Sequence, residues 1–233
     1  MFTSTSHLYD TIYSFKDYKK ESDEIIAIIK SRQPECKTIL DIGCGTSEHH
    51  KHLNEYFRMD GLDLDKIFID ISRNKNPSGT YTVGDMSDFD LGKQYDVIIC
   101  LFSSIAYLQS YNKIVAALKC FSRHLKSGGF LIVEPWFNKE NLPEPIVHML
   151  TNDKGDAKIC RMNRSVVEGD FSILNFQYLI GTLQNGVQHF EEKHVLRLTS
   201  KEEMFSAFKE AGFDVSYEEK GLVGRGMYYG NKH

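Results

Sequence analysis

Apolar residues recur along this chain at two spacings that take turns, and the alternation predicts helices separated by strands. Ile25, Ile26, Ile28 and Ile29 follow a helical spacing within Glu21 to Ser31, a segment that Pro34 closes. Thr38 to Ile42 then reads as a buried strand, Glu48 to Phe57 as its crossover helix, Phe57 to Leu62 as a second strand and Lys66 to Asn74 as a second helix. Tyr81 to Val83 is a short third strand. The run Tyr95-Asp96-Val97-Ile98-Ile99-Cys100-Leu101 has apolar residues for both faces, as a central parallel strand requires. Asn112 to Leu125 supplies a further helix, the glycines of Lys126-Ser127-Gly128-Gly129 read as its stop, and Phe130 to Val133 returns as a fifth strand.

After Trp136 the rhythm changes. From about Ala157 to Leu198 strand-like runs follow one another with no helical pattern between them, and Asn185-Gly186 is a hairpin signal inside the stretch. The expectation is an antiparallel insertion lying over the sheet. Lys201 to Ala211 resumes a helix that Gly212 stops, and Phe213 to Tyr217 with Gly226 to Tyr229 offer the last strands. The whole reads as α/β with a doubly wound sheet. Its predicted division is a main domain of residues 1–136 and 199–233, with residues 137–198 as the insertion.

Length and composition keep this picture and remove other classes. At 233 residues, 41% hydrophobic and 26% charged, the chain can bury one sizeable core. A formal charge of -4 without a long basic run leaves no electrostatic footprint for nucleic acid or an anionic membrane. Lys16, Lys19 and Lys20 read as a solvated helix face. No signal-peptide pattern and no long apolar run occurs, and the five cysteines are odd in number, widely spaced and without a CxxC pair. A cytosolic protein with reduced thiols is expected. His49, His50 and His52 lack acid or cysteine partners at ligand spacing and are expected on a solvated face, with no metal.

Candidate chemistry sits where strands end, because open parallel sheets bind ligands beyond their carboxyl ends. After the first strand, Gly43 and Gly45 allow backbone to approach a ligand closely. After the second, Asp63 can accept both hydroxyls of a ribose. After the third comes Gly84-Asp85-Met86, an acid for an exocyclic amine beside an apolar cover for a base. A dinucleotide fingerprint would place a third glycine at position 48, but Glu48 stands there and would repel phosphates at the helix start. A nucleoside cofactor without phosphates fits better.

These motifs resemble those of the class I S-adenosylmethionine-dependent methyltransferases, through Asp41-Ile42-Gly43-Cys44-Gly45-Thr46, Asp63, Gly84-Asp85-Met86 and Leu125-Lys126-Ser127-Gly128-Gly129. A narrower resemblance runs nearly end to end. Leu8-Tyr9-Asp10, Lys16-Asp17-Tyr18, Cys100-Leu101-Phe102-Ser103-Ser104-Ile105, Val133-Glu134-Pro135-Trp136, Glu191-Glu192-Lys193-His194 and Gly224-Arg225-Gly226-Met227 are similar to strings of the N,N-dimethyltransferases of TDP-linked amino sugars. The resemblance implies a Rossmann-like, mostly parallel sheet with an antiparallel last strand, S-adenosylmethionine as cofactor and a TDP-linked amino sugar as substrate. It also implies that Tyr9 and Tyr18 close over the methionine end, that Gly43, Gly45 and Leu101 lie beside the cofactor, that Asp63 holds the ribose, and that Asp85 with Met86 holds the adenine. Arg225 would pair with the pyrophosphate, Ser103, Ser104 and Trp136 would border the amino sugar, and Arg161, Tyr178 and His194 would close the pocket from the insertion.

Asp41 reads equally as a cofactor contact or as a turn acid bonded to backbone. One departure matters: the resembled enzymes carry a histidine where this chain has Tyr107, a side chain that is neutral at pH 7 and suited to orienting an amine rather than deprotonating it. With no acid–base dyad apparent in the sequence, catalysis is expected to come mainly from proximity and orientation. Another small acceptor, such as an amino acid, an amine or a phenol, and a cofactor-binding protein without turnover remain open as alternatives.

Overall fold

A computed structural model describes residues 6–145, 147–153 and 155–233. A 3-10 turn at Ser6–Leu8 leads into α1 (Tyr9–Ile12) and α2 (Tyr18–Arg32), followed by β1 (Thr38–Ile42), α3 (His50–Leu53), β2 (Arg58–Asp63), α4 (Lys66–Lys75), β3 (Tyr81–Val83) and β4 (Tyr95–Cys100). A second 3-10 turn, Ser104–Tyr107, precedes α5 (Tyr111–His124) and β5 (Leu125–Val133). Then come β6 (Val147–Asn152), β7 (Lys158–Glu168), β8 (Phe171–Thr182) and β9 (Gly186–Arg197), and finally α6 (Lys201–Glu210), β10 (Phe213–Glu218) and β11 (Met227–Lys232).

The main sheet has the order β10-β11-β5-β4-β1-β2-β3. Strands β1 to β5 pair in parallel, and β11 runs antiparallel to both β5 and β10. Alternate residues of the central strands feed opposite faces. Leu40, Ile42, Ile98 and Cys100 pack under α5 and α6, whereas Ile39, Val97 and Ile99 pack under α2 and Leu53 of α3. The order reverses between β1 and β4, so their carboxyl ends open a crevice.

Local chemistry moves several predicted boundaries. The Asp17 carboxylate accepts from Lys20 N, so α2 starts at Tyr18 rather than Glu21. The crossover after β1 is a single turn, not a helix from Glu48 to Phe57, because His49 and His50 turn inward to partners on other elements. The glycines after α5 are not its stop. The helix ends at His124, Leu125 already pairs with Tyr95, and Gly128, with φ of +70°, sits in a strand irregularity before Phe130 meets Val97.

Strands β6 to β9 form a separate antiparallel sheet in sequential order. Its β8–β9 hairpin closes between Thr182 and Gly186, whose φ of +63° is the left-handed step that glycine makes freely. Strand β6 was not apparent in the sequence, since Val147 and Met149 on this edge are both exposed and the expected alternation is missing. Ile159, Phe176, Tyr178 and Ile180 of this sheet pack with Ile12 and Tyr13 of the amino-terminal segment. Among the described residues no helix is long and apolar enough to cross a membrane.

Candidate active site

The glycine turn after β1 is fixed by its neighbours. Gly43 N and Cys44 N both donate to Leu62 O of β2, at 2.7 and 3.2 Å. Gly43 and Gly45 adopt φ of +69° and +54°. A Cβ at Gly43 would come 2.6 Å from Ser104, whereas one at Gly45 would meet only open space. Asp63 at the end of β2 accepts from Gly45 N at 2.8 Å and Asp65 N at 2.9 Å. Burial pushes its carboxyl up to about 6 despite those two hydrogen bonds. The turn thus leaves open space beside a carboxylate with acceptor capacity to spare.

A cavity of about 780 Å³ runs from this turn under the second sheet. Tyr9, Gly43, Gly45, Asp63, Asp85 and Met86 line one end, and Ser103, Ser104, Tyr107, Trp136, Arg161, His194 and Arg225 line the rest. An adjoining hollow of about 50 Å³ shares Tyr9, Gly43, Gly45 and Ser104 and adds Tyr18, Asp41 and Leu101. Asp85 accepts from Ser87 N and Ser87 Oγ, both at 2.8 Å, which outweighs burial and lowers its pKa.

Beneath the small hollow lies a buried polar frame. His50 is fully buried, with Nε2 3.0 Å from the Asp41 carboxylate and Nδ1 2.7 Å from Tyr81 Oη. One carboxylate oxygen of Asp41 is therefore engaged by a buried side chain, while the residue also lines the hollow. His49 Nε2 lies 2.8 Å from Glu21, which also pairs with Lys16, and Tyr18 stands edge-on to the His49 ring. The expected solvated faces are corrected here: His49, His50 and the Lys16 ammonium are enclosed, while Lys19 is exposed. No metal-holding group occurs among the described residues.

The end of β4 carries two non-glycine residues in the left-handed region, Phe102 at φ +50° and Ser103 at +64°. Such backbone persists only where surroundings hold it. Phe102 N donates to Glu134 Oε2 at 2.7 Å, and Ser103 Oγ donates to Pro135 O at 2.7 Å. The other oxygen of Glu134 accepts from Arg225 Nη2 at 3.1 Å, and the Arg225 guanidinium lies 5.3 Å from the centres of both the Phe102 and Trp136 rings. Arg161 of β7 rests over Tyr13 and Phe176, and its buried Nε and Nη1 have no hydrogen-bond partner among the described residues. Trp136 Nε1 is likewise unpartnered.

Tyr107 of the 3-10 turn and His194 of β9, 87 residues apart, meet with Oη 2.5 Å from Nδ1. On its other side His194 Nε2 lies 3.6 Å from Glu192. Burial raises the Tyr107 phenol well above its ordinary range and lowers the His194 imidazole, which the neighbouring Glu192 partly opposes.

Comparison with known proteins places this architecture. Residues 39–129 match a family described as a methyltransferase domain. The chain is 33% identical, over 97% of its length and 89% of the other's, to the dTDP-3-amino-3,6-dideoxy-alpha-D-glucopyranose N,N-dimethyltransferase of Streptomyces fradiae. It belongs to the class I S-adenosylmethionine-dependent methyltransferases. The crystal structure of Streptomyces venezuelae DesVI superposes with a TM-score of 0.93 at 32% identity over all of both chains. An amino pentose methyltransferase of Micromonospora echinaspora, solved with S-adenosylmethionine bound, gives 0.87 at 28% identity, over all of this chain and 98% of the other.

Within this methyltransferase the expected site residues fall into three groups. Most line the cavity or its hollow. Tyr178 lines neither, for although it shares the inward face of β8 with Phe176 it is fully buried against the amino-terminal segment. Arg225 and Ser103 line the cavity with one polar atom each already engaged, Arg225 Nη2 by Glu134 and Ser103 Oγ by Pro135, while the buried Arg225 Nε has no hydrogen-bond partner among the described residues. The sequence reading passed over Tyr13, Phe102, Glu134 and Glu192. Tyr13 alone carried a local signal, standing four residues from Tyr9 and so on the same helix face.

Proposed function

We propose that the chain is an N-methyltransferase acting on the amino group of a nucleotide-linked amino deoxysugar, with TDP as the nucleotide. The observation that carries this reading is the cavity beyond the glycine turn, which combines Trp136 with a guanidinium, Arg161, whose buried Nε and Nη1 have no hydrogen-bond partner among the described residues. A small free amine needs no such cation, whereas a diphosphate does. The full-length similarity to a TDP-amino-sugar dimethyltransferase points the same way.

The open turn at Gly45 beside the spare acceptors of Asp63 fits S-adenosylmethionine. Gly43, Gly45, Asp63, Asp85 and Met86 would hold it, with Tyr9, Tyr18 and Leu101 along the hollow. When bound, the cofactor supplies an electrophilic methyl group on a sulfonium sulfur. The protein's own contribution is to hold the amine in line with that methyl, and positioning of this kind is worth up to about 7–11 kcal/mol. Tyr107 faces the passage between the two halves and would orient the amine. Residues 137–198, which carry Arg161 and His194, would supply the acceptor half. The five cysteines are all free thiols, consistent with action in the cytosol.

Calorimetry with TDP alone tests the reading. Binding at or below millimolar concentration is expected, and no binding at that concentration would count against a nucleotide-linked acceptor.

A further inference from the structure

Tyr107 of the 3-10 turn after β4 and His194 of β9 line the same cavity and meet at 2.5 Å. Glu192 stands beside the far ring nitrogen of His194 at 3.6 Å. A carboxylate in that position favours the tautomer with hydrogen on Nε2, which leaves Nδ1 as the acceptor for the Tyr107 hydroxyl. We propose that Tyr107, His194 and Glu192 form a proton relay that discharges the substrate's ammonium between a first and a second methyl transfer. The proposal rests on the amino-sugar reading above.

Methylation of an amine leaves a secondary ammonium, which has no lone pair. A second transfer therefore needs that proton removed while the sugar stays bound under the second sheet. Along the relay the N–H bond breaks as its proton joins Tyr107 Oη, and the phenol's original proton passes to His194 Nδ1. The amine regains its lone pair, Tyr107 remains a phenol, and His194 becomes an imidazolium that later releases its proton to water. Glu192 offsets the new charge.

The groups facing His194 suit this task. Besides Tyr107 from the 3-10 turn and Glu192 on its own strand, Arg161 approaches from β7, and Tyr178 of β8 and Tyr13 at the amino-terminal segment face the Tyr107 end. Arg161 and burial keep the imidazole neutral and receptive. The phenol, held protonated by burial, conducts the proton rather than storing it. His194 is thus a positioning residue that works through Tyr107, and the first transfer keeps its dependence on proximity.

Two conservative variants separate a relay from a simple tie between the sheets. Tyr107→Phe removes the hydroxyl, and His194→Asn keeps an acceptor near Nδ1 that cannot take a proton. With a TDP-amino sugar, both are expected to accumulate monomethylated product, because the second transfer slows by about 10²-fold or more beyond whatever slowing the first shows, since general acid–base catalysis is typically worth 10²–10⁴. The acid limb of the second transfer's pH profile should disappear. Equal slowing of both transfers with an unchanged pH profile would overturn the relay.

Nitrogen NMR of the His194 ring decides the point without turnover. A neutral ring with hydrogen on Nε2 at neutral pH, and an Nδ1 resonance that moves in Tyr107→Phe, is expected. A charged ring, or hydrogen on Nδ1, would overturn the relay. If the wild-type enzyme methylates no amino-sugar nucleotide, the substrate reading fails, and the ring's tautomer still decides whether the relay can exist.

Discussion

Arg225 Nη2 donates to Glu134 Oε1 at 3.1 Å, and both side chains are buried. The pair joins the start of β11 to the end of β5, while Glu134 Oε2 also fixes the left-handed turn at Phe102. Glu134→Ala strands a buried guanidinium and releases that turn. Loss of one partner of such a pair costs about 3–5 kcal/mol. Urea unfolding should report a loss of unfolding free energy of that size for Glu134→Ala. A stability within experimental scatter of wild type would mean that Arg225 finds solvent and that its pairing is incidental.

The same pairing ranks the two arginines of the acceptor half. Arg225 has its charge met by Glu134 and keeps one buried nitrogen, Nε, without a hydrogen-bond partner among the described residues, whereas Arg161 has two, Nε and Nη1, beside the cavity. Arg161→Met should weaken TDP binding by about 1.5–3 kcal/mol, the usual value of hydrogen bonds to a charged group. Arg161→Lys should not restore it, because an ammonium lacks the planar donor array. Calorimetry on Arg161→Met checks this, and unchanged TDP affinity would return the anion-binding task to Arg225.

Much of the main sheet was legible because it depends on local pattern. Thr38–Ile42 ends where its apolar run ends, since its residues from Ile39 onward are all buried, and Tyr81–Val83 lies where its short run predicts. The parts that were not legible depend on partners distant in sequence. His49 and His50 are drawn inward by Glu21 and Asp41, and the latter pair also needs Tyr81, 31 residues further on. Arg225 between two glycines looked like a free cation because Glu134 lies 91 residues away. Tyr178 has the right face for the cavity but is buried against Ile12 and Tyr13 rather than lining it, and alternation along a strand says nothing about what covers a side chain. The hydrogen bond between Tyr107 and His194, 87 residues apart, is likewise absent from any local motif.

Asp63 predicts a pH dependence of cofactor binding. Burial raises its pKa from 3.8 to about 6, so the free carboxylate is ionised above that value and picks up a proton below it. Because the raised pKa belongs to the folded state, the ionised group weakens folding above about pH 6, and this cost is relieved as pH falls from 6 toward 3.8. Ribose hydroxyls need the ionised form as acceptor. S-adenosylmethionine affinity should therefore be flat above about pH 7 and fall by up to about tenfold per unit below 6, the limit for uptake of one proton. Asp63→Asn should bind more weakly and lose the slope. Calorimetry across that range would contradict the assignment if wild-type affinity stayed constant.

The central claim is that this methyltransferase acts on the amine of a nucleotide-linked sugar. Mass spectrometry of the enzyme with S-adenosylmethionine and a set of TDP-3-amino and TDP-4-amino sugars tests it most directly, because it reports acceptor and methyl count together. The account predicts one or two added methyl groups on at least one of these sugars. Methylation of a free amino acid, amine or phenol, with every sugar nucleotide left unchanged, would contradict it.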